Sequence, residues 1–245
     1  MKRDPLLGVL GGLGPMSTVY FCNLLIEHTK AMGDDDHIDM LISSRATTPD
    51  RTAFILGRSD RDPLPVMREE AERLVQGGAD LIVIPCNTAH YFYEGLSETV
   101  QIPMINIIEE TVLHLKRMKI SAFGLLATEG TVRSRAYEKV CNRHGVRCIL
   151  PTKEEQQKIS SIIYDDIKRN RSVDIDSFME IADRMKACGC ERLVLGCTEL
   201  SLLKKQLPDD SMFVDSLEVL AWRTILACHK TPIGFDASFQ SEAMQ

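Results

Sequence analysis

The feature that most constrains the fold is a regular alternation between short apolar runs and longer amphipathic stretches. The apolar runs, such as "LLGVLGG", "DLIVIPCN" and "RLVLGCT", are bounded by glycine, proline or polar clusters. Between them, "PVMREEAERLVQGG" and "SFMEIADRMKACGC" place apolar residues three and four positions apart and then reach a glycine, which is typical of helices. Because alternating strands and helices favour parallel sheets covered on both faces, the sequence predicts an α/β protein.

The same order of motifs occurs twice, which indicates an internal duplication. In the first half "GVLGGLGPMST" precedes "LIVIPCNTA" and "IPMINIIEET", and in the second half "FGLLATEGTVRS" precedes "RLVLGCTEL" and "DSMFVDSLEV". We predict two similar lobes, with residues 1–101 and 212–230 in the first and residues 102–211 in the second. Residues 231–245 show no periodicity and are predicted to form a weakly ordered C-terminal tail.

Composition and charge narrow the choice of partners. The chain has 245 residues, a formal net charge of −6 and no basic stripe, so we expect no nucleic acid partner. No segment approaches the roughly eighteen uninterrupted apolar residues of a membrane span, and the N-terminus does not have the pattern of a signal peptide. We therefore expect a cytoplasmic protein that does not insert into membranes.

Eight cysteines raise the question of disulfides and metal sites. A chain of this length can bury an ordinary core, and a reducing compartment keeps thiols free, so disulfides are not expected. The "CGC" sequence at 188–190 lacks the spacing of a structural zinc site, and no matching His/Cys pair follows it. We predict no metal ion, and most of the cysteines are expected to act as small buried hydrophobic residues.

Two cysteines differ from the others in their surroundings. Cys86 and Cys197 each follow an apolar run, and polar residues come directly after them in "PCNTAH" and "GCTEL". Ligands of open α/β sheets bind at the carboxyl ends of strands, and a helix that starts there favours a thiolate. A single cysteine at a strand end is more often a packing residue, but the paired contexts in corresponding halves favour a common site.

Two facing thiols have a specific chemical use. Inversion of a stereocentre next to a carboxylate requires removal of the Cα proton on one face and return of a proton on the other. A thiolate and a thiol can divide these tasks because the thiol pKa can be brought towards neutrality. Such a reaction needs no cofactor, and no lysine lies in a context that suggests a Schiff base.

With these motifs the chain resembles the aspartate/glutamate racemase family, and within it the aspartate racemases. The resemblance runs from "GVLGGLGPMSTVYF" through "PDRT", "CNTAH" and "GLLATEGTVRS" to "RLVLGCTEL" and "FVDS". It implies two pseudo-symmetric flavodoxin-like lobes, each a parallel four-stranded sheet flanked by helices, with the active site in the cleft between them. It also implies a homodimer and a cofactor-independent isomerase in which Cys197 deprotonates the L-enantiomer and Cys86 the D-enantiomer.

A dicarboxylic amino acid needs cations for its carboxylates, and two candidates stand out. Arg51 in "PDRT" carries a planar fork that matches a carboxylate, although an arginine there could instead pair with Asp50 on the surface. Lys168 in "IIYDDIKRN" matches a Tyr-x-x-Ile-Lys segment of the family and its second cationic contact. The alternative for Lys168 is a solvated helix lysine near Asp165.

Residues that neighbour the cysteines complete the predicted substrate site. Asn87, Thr88 and Thr198 can donate to a carboxylate or accept from an ammonium group, and they can equally cap helices. Thr131 is expected to contribute from the second lobe. Glu199 occupies a position where glutamate racemases commonly have histidine, which together with His90 in "CNTAH" favours an aspartate-type site.

Several functions remain open from the sequence. The leading interpretation is a racemase that interconverts L- and D-aspartate, with glutamate or a broader range of amino acids as the alternative. Maleate isomerases and hydantoin racemases share the cysteine motifs, but "PDRT" and "CNTAH" favour an amino acid. A ligand-sensing protein without turnover is the alternative of another class, and it has no need for two opposed thiols.

Overall fold

The computed structural model describes residues 3–207 and 210–240. Within these residues, eight strands form two sheets of four. The strands are β1 (Leu7–Gly11), β2 (Met40–Ser44), β3 (Leu81–Val83), β4 (Met104–Ile105), β5 (Ala122–Leu126), β6 (Arg147–Ile149), β7 (Arg192–Leu195) and β8 (Phe213–Asp215).

Helices connect the strands and cover the sheets. The α-helices in the described residues are α1 (Pro15–His28), α2 (Arg51–Ile55), α3 (Leu64–Gln76), α4 (Tyr93–Ser97), α5 (Ile107–Arg117), α6 (Glu129–Ser134), α7 (Ala136–His144), α8 (Lys153–Ser161), α9 (Ile175–Ala187), α10 (Ser216–Ala227) and α11 (Ala237–Gln240). Two amphipathic stretches of the sequence, at α3 and α9, are helical as predicted. No helix in these parts of the chain is long and apolar enough to cross a membrane.

The two sheets have the same topology. The strand orders are β2-β1-β3-β4 and β6-β5-β7-β8, and every pair is parallel. The prediction of two parallel four-stranded lobes is therefore confirmed. In each sheet the order reverses beside the first strand, and this is where ligands bind in open α/β sheets. The carboxyl ends of β3 and β7 lead to Cys86 and Cys197 respectively.

One hydrophobic core runs through both lobes. It joins Val9 of the first sheet, Phe123 of the second sheet, and the apolar faces of α5 and α10. Helix α5 follows the first sheet and packs against α7 of the second lobe, whereas α10 follows the second sheet and packs against α1 of the first. The lobes are therefore held together by these exchanged helices.

The observed sheets correct the predicted lobe boundaries. Residues 102–211 were expected in the second lobe, but β4 pairs with β3 and completes the first sheet. Residues 212–230 were expected in the first lobe, but β8 pairs with β7 in the second. The chain does return to the first lobe, and it does so in helix α10 because the apolar face of this helix packs on α1.

The described part of the C-terminal tail is ordered by contacts, contrary to the expectation for residues 231–245. Pro232 forms an isolated bridge with Thr29, and the Ile233 amide donates to the His28 carbonyl at 2.8 Å. Phe239 is buried in the core that both lobes share. The lack of periodicity misled the prediction because one aromatic side chain anchors an irregular segment. Residues 241–245 lie outside the described residues.

Candidate active site

Cys86 lies in a turn that backbone hydrogen bonds and one histidine fix. Its amide donates to the Ile84 carbonyl at 2.7 Å. Nδ1 of His90 lies 2.8 Å from the Cys86 carbonyl oxygen, and Nε2 of His90 accepts from the Ile107 amide at 3.2 Å. Burial lowers the pKa of His90 to about 4, so the ring is neutral and its Nδ1–H donates to Cys86. His90 therefore supports the turn, and both of its ring nitrogens are engaged by backbone groups.

Cys197 has a charged neighbour. Its Sγ donates to Oε2 of Glu199 at 3.0 Å, and both residues are buried. Burial, together with the Glu199 carboxylate, raises the pKa of the Cys197 thiol well above its ordinary value. The expectation that a helix N-terminus favours a thiolate here is wrong, since the segment that follows is a 3-10 helix beginning at Leu200 and the adjacent carboxylate opposes a thiolate.

Both thiols line one small cavity between the lobes. The predicted residues Arg51, Asn87, Thr88, Lys168, Thr198 and Glu199 line it too. The volume in which the centre of a water molecule can lie is only about 10 Å³. The cavity therefore has room for about one water molecule. The lobes are therefore closed over the thiols, and an amino acid can reach them only if this cavity widens.

A larger pocket adjoins the cavity on the outside. Its volume is about 660 Å³, and it shares Asp50, Arg51, Lys168 and Glu199 with the cavity. These four residues form the partition between the thiols and the outer pocket. Movement of these side chains would connect the two spaces.

Arg51 is a buried cation without an acidic partner in the described residues. Its Nη2 donates to the Leu13 carbonyl at 2.5 Å, and its Nη1 donates to the Pro49 carbonyl at 3.1 Å. Its Nε is buried and makes no hydrogen bond in the described part of the chain. Asp50, the partner that a surface role would require, instead caps α2 by accepting from the Ala53 amide. An uncompensated buried charge is costly, so this guanidinium is suited to receive an anion.

Lys168 also reaches the cavity, although the sequence left its role open. A π-helical turn at Ile162–Asp166 and a 3-10 turn at Ile167–Arg169 place it there. Its Nζ lies 3.5 Å from Oε1 of Glu199 and 4.5 Å from the centre of the Tyr164 ring. Burial opposes its charge, but the Glu199 carboxylate keeps the pKa of Lys168 above its ordinary value. Lys168 is therefore cationic inside the cleft.

The polar residues after Cys86 are largely engaged with the second lobe. The Asn87 amide donates to Ser216 Oγ at 2.9 Å and accepts from the Tyr137 hydroxyl at 2.7 Å. The Thr88 hydroxyl lies 2.8 Å from that of Thr128 and 2.9 Å from that of Thr131. Thr131 therefore stands behind Thr88, while Thr198 lines the cavity directly.

Sequence reasoning missed four residues that shape the site. Tyr137 and Ser216 hold Asn87, Thr128 holds Thr88, and Tyr164 packs under Lys168. Thr128 could have been recognised from the sequence, because threonine is a common N-cap residue and Thr128 directly precedes helix α6, where its side chain accepts from the Thr131 amide. Tyr137 could not, since its hydroxyl is 50 residues away from Asn87 in the sequence.

The described residues show no metal centre. Among residues 3–207 and 210–240, no group of three or more His, Cys, Asp or Glu side chains is arranged to hold a metal ion. All eight cysteines are free thiols.

Comparisons with known proteins agree with this geometry. The chain is 27% identical over 226 residues to the broad-specificity amino-acid racemase RacX of Bacillus subtilis (strain 168), which covers 90% of this chain and 96% of that protein. The Picrophilus torridus aspartate racemase matches with a TM-score of 0.78 and 25% identity, covering 97% of this chain and 98% of its own. An aspartate racemase homologue from Pyrococcus horikoshii OT3 matches with a TM-score of 0.73 and 23% identity, over 94% and 100% of the two chains, which is evidence for the fold alone.

A family model supplies the assignment. The model described as Asp/Glu/Hydantoin racemase matches residues 10–224, which include both cysteines, both cations and every strand except the first three residues of β1. This match covers most of the chain. The protein belongs to the Asp/Glu/hydantoin racemase family and, as a racemase, is an isomerase.

Proposed function

We propose that the protein interconverts L- and D-aspartate by moving a proton at Cα between Cys86 and Cys197. No cofactor takes part, because the two thiols supply both the base and the acid. Glutamate or a broader range of amino acids is the alternative substrate choice, and the broad-specificity relative from Bacillus subtilis supports it.

The observation that carries the proposal is the convergence of two buried thiols from opposite lobes on one cavity beside two cations. Arg51 lacks an acidic partner in the described residues, and Lys168 lies close enough to Arg51 for the two charges to repel. A dicarboxylate between them relieves this repulsion and compensates the buried guanidinium. A site of this kind matches an acidic amino acid better than a neutral one.

The proposed reaction balances with these groups alone. For the L-enantiomer, the Cys197 thiolate removes the Cα proton on one face, and the Cys86 thiol donates its proton on the other face. The carbon is inverted, Cys197 ends as a thiol and Cys86 as a thiolate, and the D-enantiomer reacts through the reverse steps. Arg51 and Lys168 stabilise the charge that develops on the substrate while the Cα proton is absent.

Aspartate is preferred over glutamate in this proposal for two reasons. The structurally similar Picrophilus torridus protein is an aspartate racemase, and it aligns over nearly the whole of this chain. The cavity between the thiols is also small, so a shorter side chain requires less widening. An assay in which aspartate and glutamate compete for the protein measures this substrate preference directly.

The experiment follows the α-proton and the chirality together. Purified protein is incubated with L-aspartate, L-glutamate or a neutral amino acid in deuterium oxide, without added cofactor and after treatment with a chelator. We expect inversion with uptake of solvent deuterium, fastest for aspartate. Inversion that is fastest for a neutral amino acid would contradict the dicarboxylate site, and no exchange with any amino acid would favour the ligand-sensing alternative.

Single-cysteine variants test the two-base mechanism. Cys86→Ala and Cys197→Ala should each abolish inversion, whereas each remaining thiol can still exchange the α-proton of the one enantiomer that it faces. Cys141→Ala removes a buried cysteine outside the cavity and is the matched control, which should remain active. Full inversion by either single-cysteine variant would refute the mechanism.

The homodimer predicted from the resemblance is part of the proposal. Light scattering should give twice the 27.5 kDa mass of the chain. A mass of one chain at the concentrations of the assay would contradict it.

A further inference from the structure

The two thiols have unequal surroundings, and Glu199 is the cause. Oε2 of Glu199 accepts from Cys197 Sγ at 3.0 Å, and Oε1 lies 3.5 Å from Lys168 Nζ. Glu199 also belongs to the partition, since it lines both the cavity between the thiols and the outer pocket of about 660 Å³. One side chain therefore connects the Cys197 thiol to the space from which solvent can approach.

Cys86 has no corresponding partner in the described part of the chain. The residue two positions after it is Thr88, whose hydroxyl is held by the hydroxyls of Thr128 and Thr131. His90, the nearest titratable residue along the chain, has both ring nitrogens bonded to backbone groups. No hydrogen bond joins Cys86 Sγ to an acid or a base among the described residues. The corresponding positions 88 and 199 are therefore a neutral hydroxyl in one lobe and a carboxylate in the other.

This difference bears on how each thiol loses its proton. Cys197 can act as a base only after its proton has left, and the acceptor in contact with Sγ is Oε2 of Glu199. The S–H bond breaks as an O–H bond forms, and the proton then passes from the carboxyl group to water in the outer pocket. Cys197 is left as the thiolate, and Lys168 keeps its positive charge throughout.

We propose that Glu199 is the positioning residue of Cys197. The Glu199 carboxylate holds the Cys197 thiol and carries the thiol proton to the outer pocket. The two thiols therefore exchange protons with solvent at unequal rates. The inference rests on the proposed two-thiol mechanism. It replaces the direct substrate contact that the sequence predicted for Glu199, because the carboxylate faces the thiol and would repel a substrate carboxylate.

Ordinary rate constants do not test this asymmetry. The two enantiomers have equal free energy, so kcat/KM must be the same in both directions for every variant. Isotope exchange is not constrained in this way. In deuterium oxide, deuterium enters the unreacted substrate only if the thiol that has just removed the α-proton exchanges it before returning it.

The experiment measures the deuterium content of unreacted substrate per inversion, starting from each enantiomer. The Cys86→Ala variant first identifies the enantiomer that Cys197 deprotonates, because Cys197 is the only one of the two thiols left. We expect more deuterium in that enantiomer than in the other for the wild-type protein. Glu199→Gln keeps the size of the side chain but cannot take up the thiol proton, and it should abolish this excess while exchange on the Cys86 side continues.

A matched control and separate outcomes keep the test decisive. Glu129→Gln changes a glutamate that pairs with Arg58 at 2.8 Å outside the cavity, and it should preserve the excess. Equal exchange of the two enantiomers in the wild type, including none for either, overturns the inference. So does a Glu199→Gln variant that keeps the excess or loses exchange on both sides. Absence of inversion in the wild type would instead refute the proposed function itself.

Discussion

Replacing Gly14 by alanine adds one methyl group at the point where the first lobe touches the Glu199 carboxylate. A Cβ built on Gly14 lies 2.5 Å from Oε1 of Glu199, whereas an ordinary contact begins at 3.4 Å. The carboxylate must therefore retreat by about 1 Å. Because Glu199 holds the Cys197 thiol at 3.0 Å, the displacement reaches the reacting group.

The magnitude follows from this displacement. A misplacement of about 1 Å in an active site can cost about 100-fold in rate, which corresponds to about 3 kcal/mol in the activation free energy. The fold itself should not suffer, since Gly14 has an extended backbone with φ −143° and ψ 126° that alanine adopts readily. Gly→Ala at a compatible position changes the free energy of unfolding by about +0.4 to +1 kcal/mol.

The assay compares kcat and thermal unfolding in Gly14→Ala and in a matched control. Gly33→Ala has a similarly extended backbone, and its Cβ would meet only an Asp35 carboxylate oxygen at 3.0 Å. We expect kcat to fall about 100-fold in the first variant and to stay unchanged in the second, with neither less stable than the wild type. Unchanged kcat in Gly14→Ala, or a fall that accompanies loss of stability, would refute the reasoning.

Three further predictions concern groups near the cleft. Arg51→Lys keeps the positive charge but loses the planar guanidinium fork. A charge-assisted hydrogen bond contributes about 1.5–3 kcal/mol, so we expect kcat/KM for L-aspartate to fall about 10- to 100-fold, while the exposed Arg58→Lys control is unaffected. Unchanged kcat/KM in Arg51→Lys would exclude Arg51 as the anion site. Burial lowers the pKa of His90 to about 4, whereas a histidine in the unfolded chain has a pKa of about 6.5. Denaturant titrations should therefore show the free energy of unfolding falling by up to about 3 kcal/mol as the pH drops from 6.5 to 4. A His90→Asn variant with the same pH dependence would contradict this. Burial and Glu218 raise the pKa of Asp215 to about 7, so the native state keeps a proton that the unfolded chain releases, and stability should fall as pH rises from about 4 to 7. Asp215→Asn should therefore gain stability relative to the wild type over that range, and a constant difference between the two would show that Asp215 is ionised in the native protein.

The fold was largely predictable because two independent patterns agreed. Alternating apolar and amphipathic stretches indicate parallel α/β structure, and the repeated order of motifs indicates two lobes. The lobe boundaries were not predictable in the same way. Strand β4 has two residues and β8 has three, so neither carries a pattern that assigns it to a sheet. Their membership depends on the neighbouring strand and not on local sequence.

The candidate site divides along similar lines. The sequence brought Cys86, Cys197, Arg51 and Lys168 to attention, and the structure places all four around one cavity. The state of the Cys197 thiol could not be read from the motif, because it depends on burial and on the orientation of Glu199.

The hydrogen bonds of the polar residues next to Cys86 could not be predicted from the sequence either. His90 binds a backbone amide 17 residues away in the sequence, and Asn87 binds Ser216 at a separation of 129 residues. Such partners follow from the completed fold and not from spacing along the chain.

The helices exchanged between the lobes have a consequence for how this chain can be divided. A polypeptide of half the length, ending after α5, would leave the apolar face of that helix in water unless a second copy accepted it. Two such copies would complete each other as subunits of a swapped dimer, with one thiol from each on the common cleft. In the full chain both halves belong to one covalent molecule and share one core, so they should unfold as one cooperative unit despite their separate sheets.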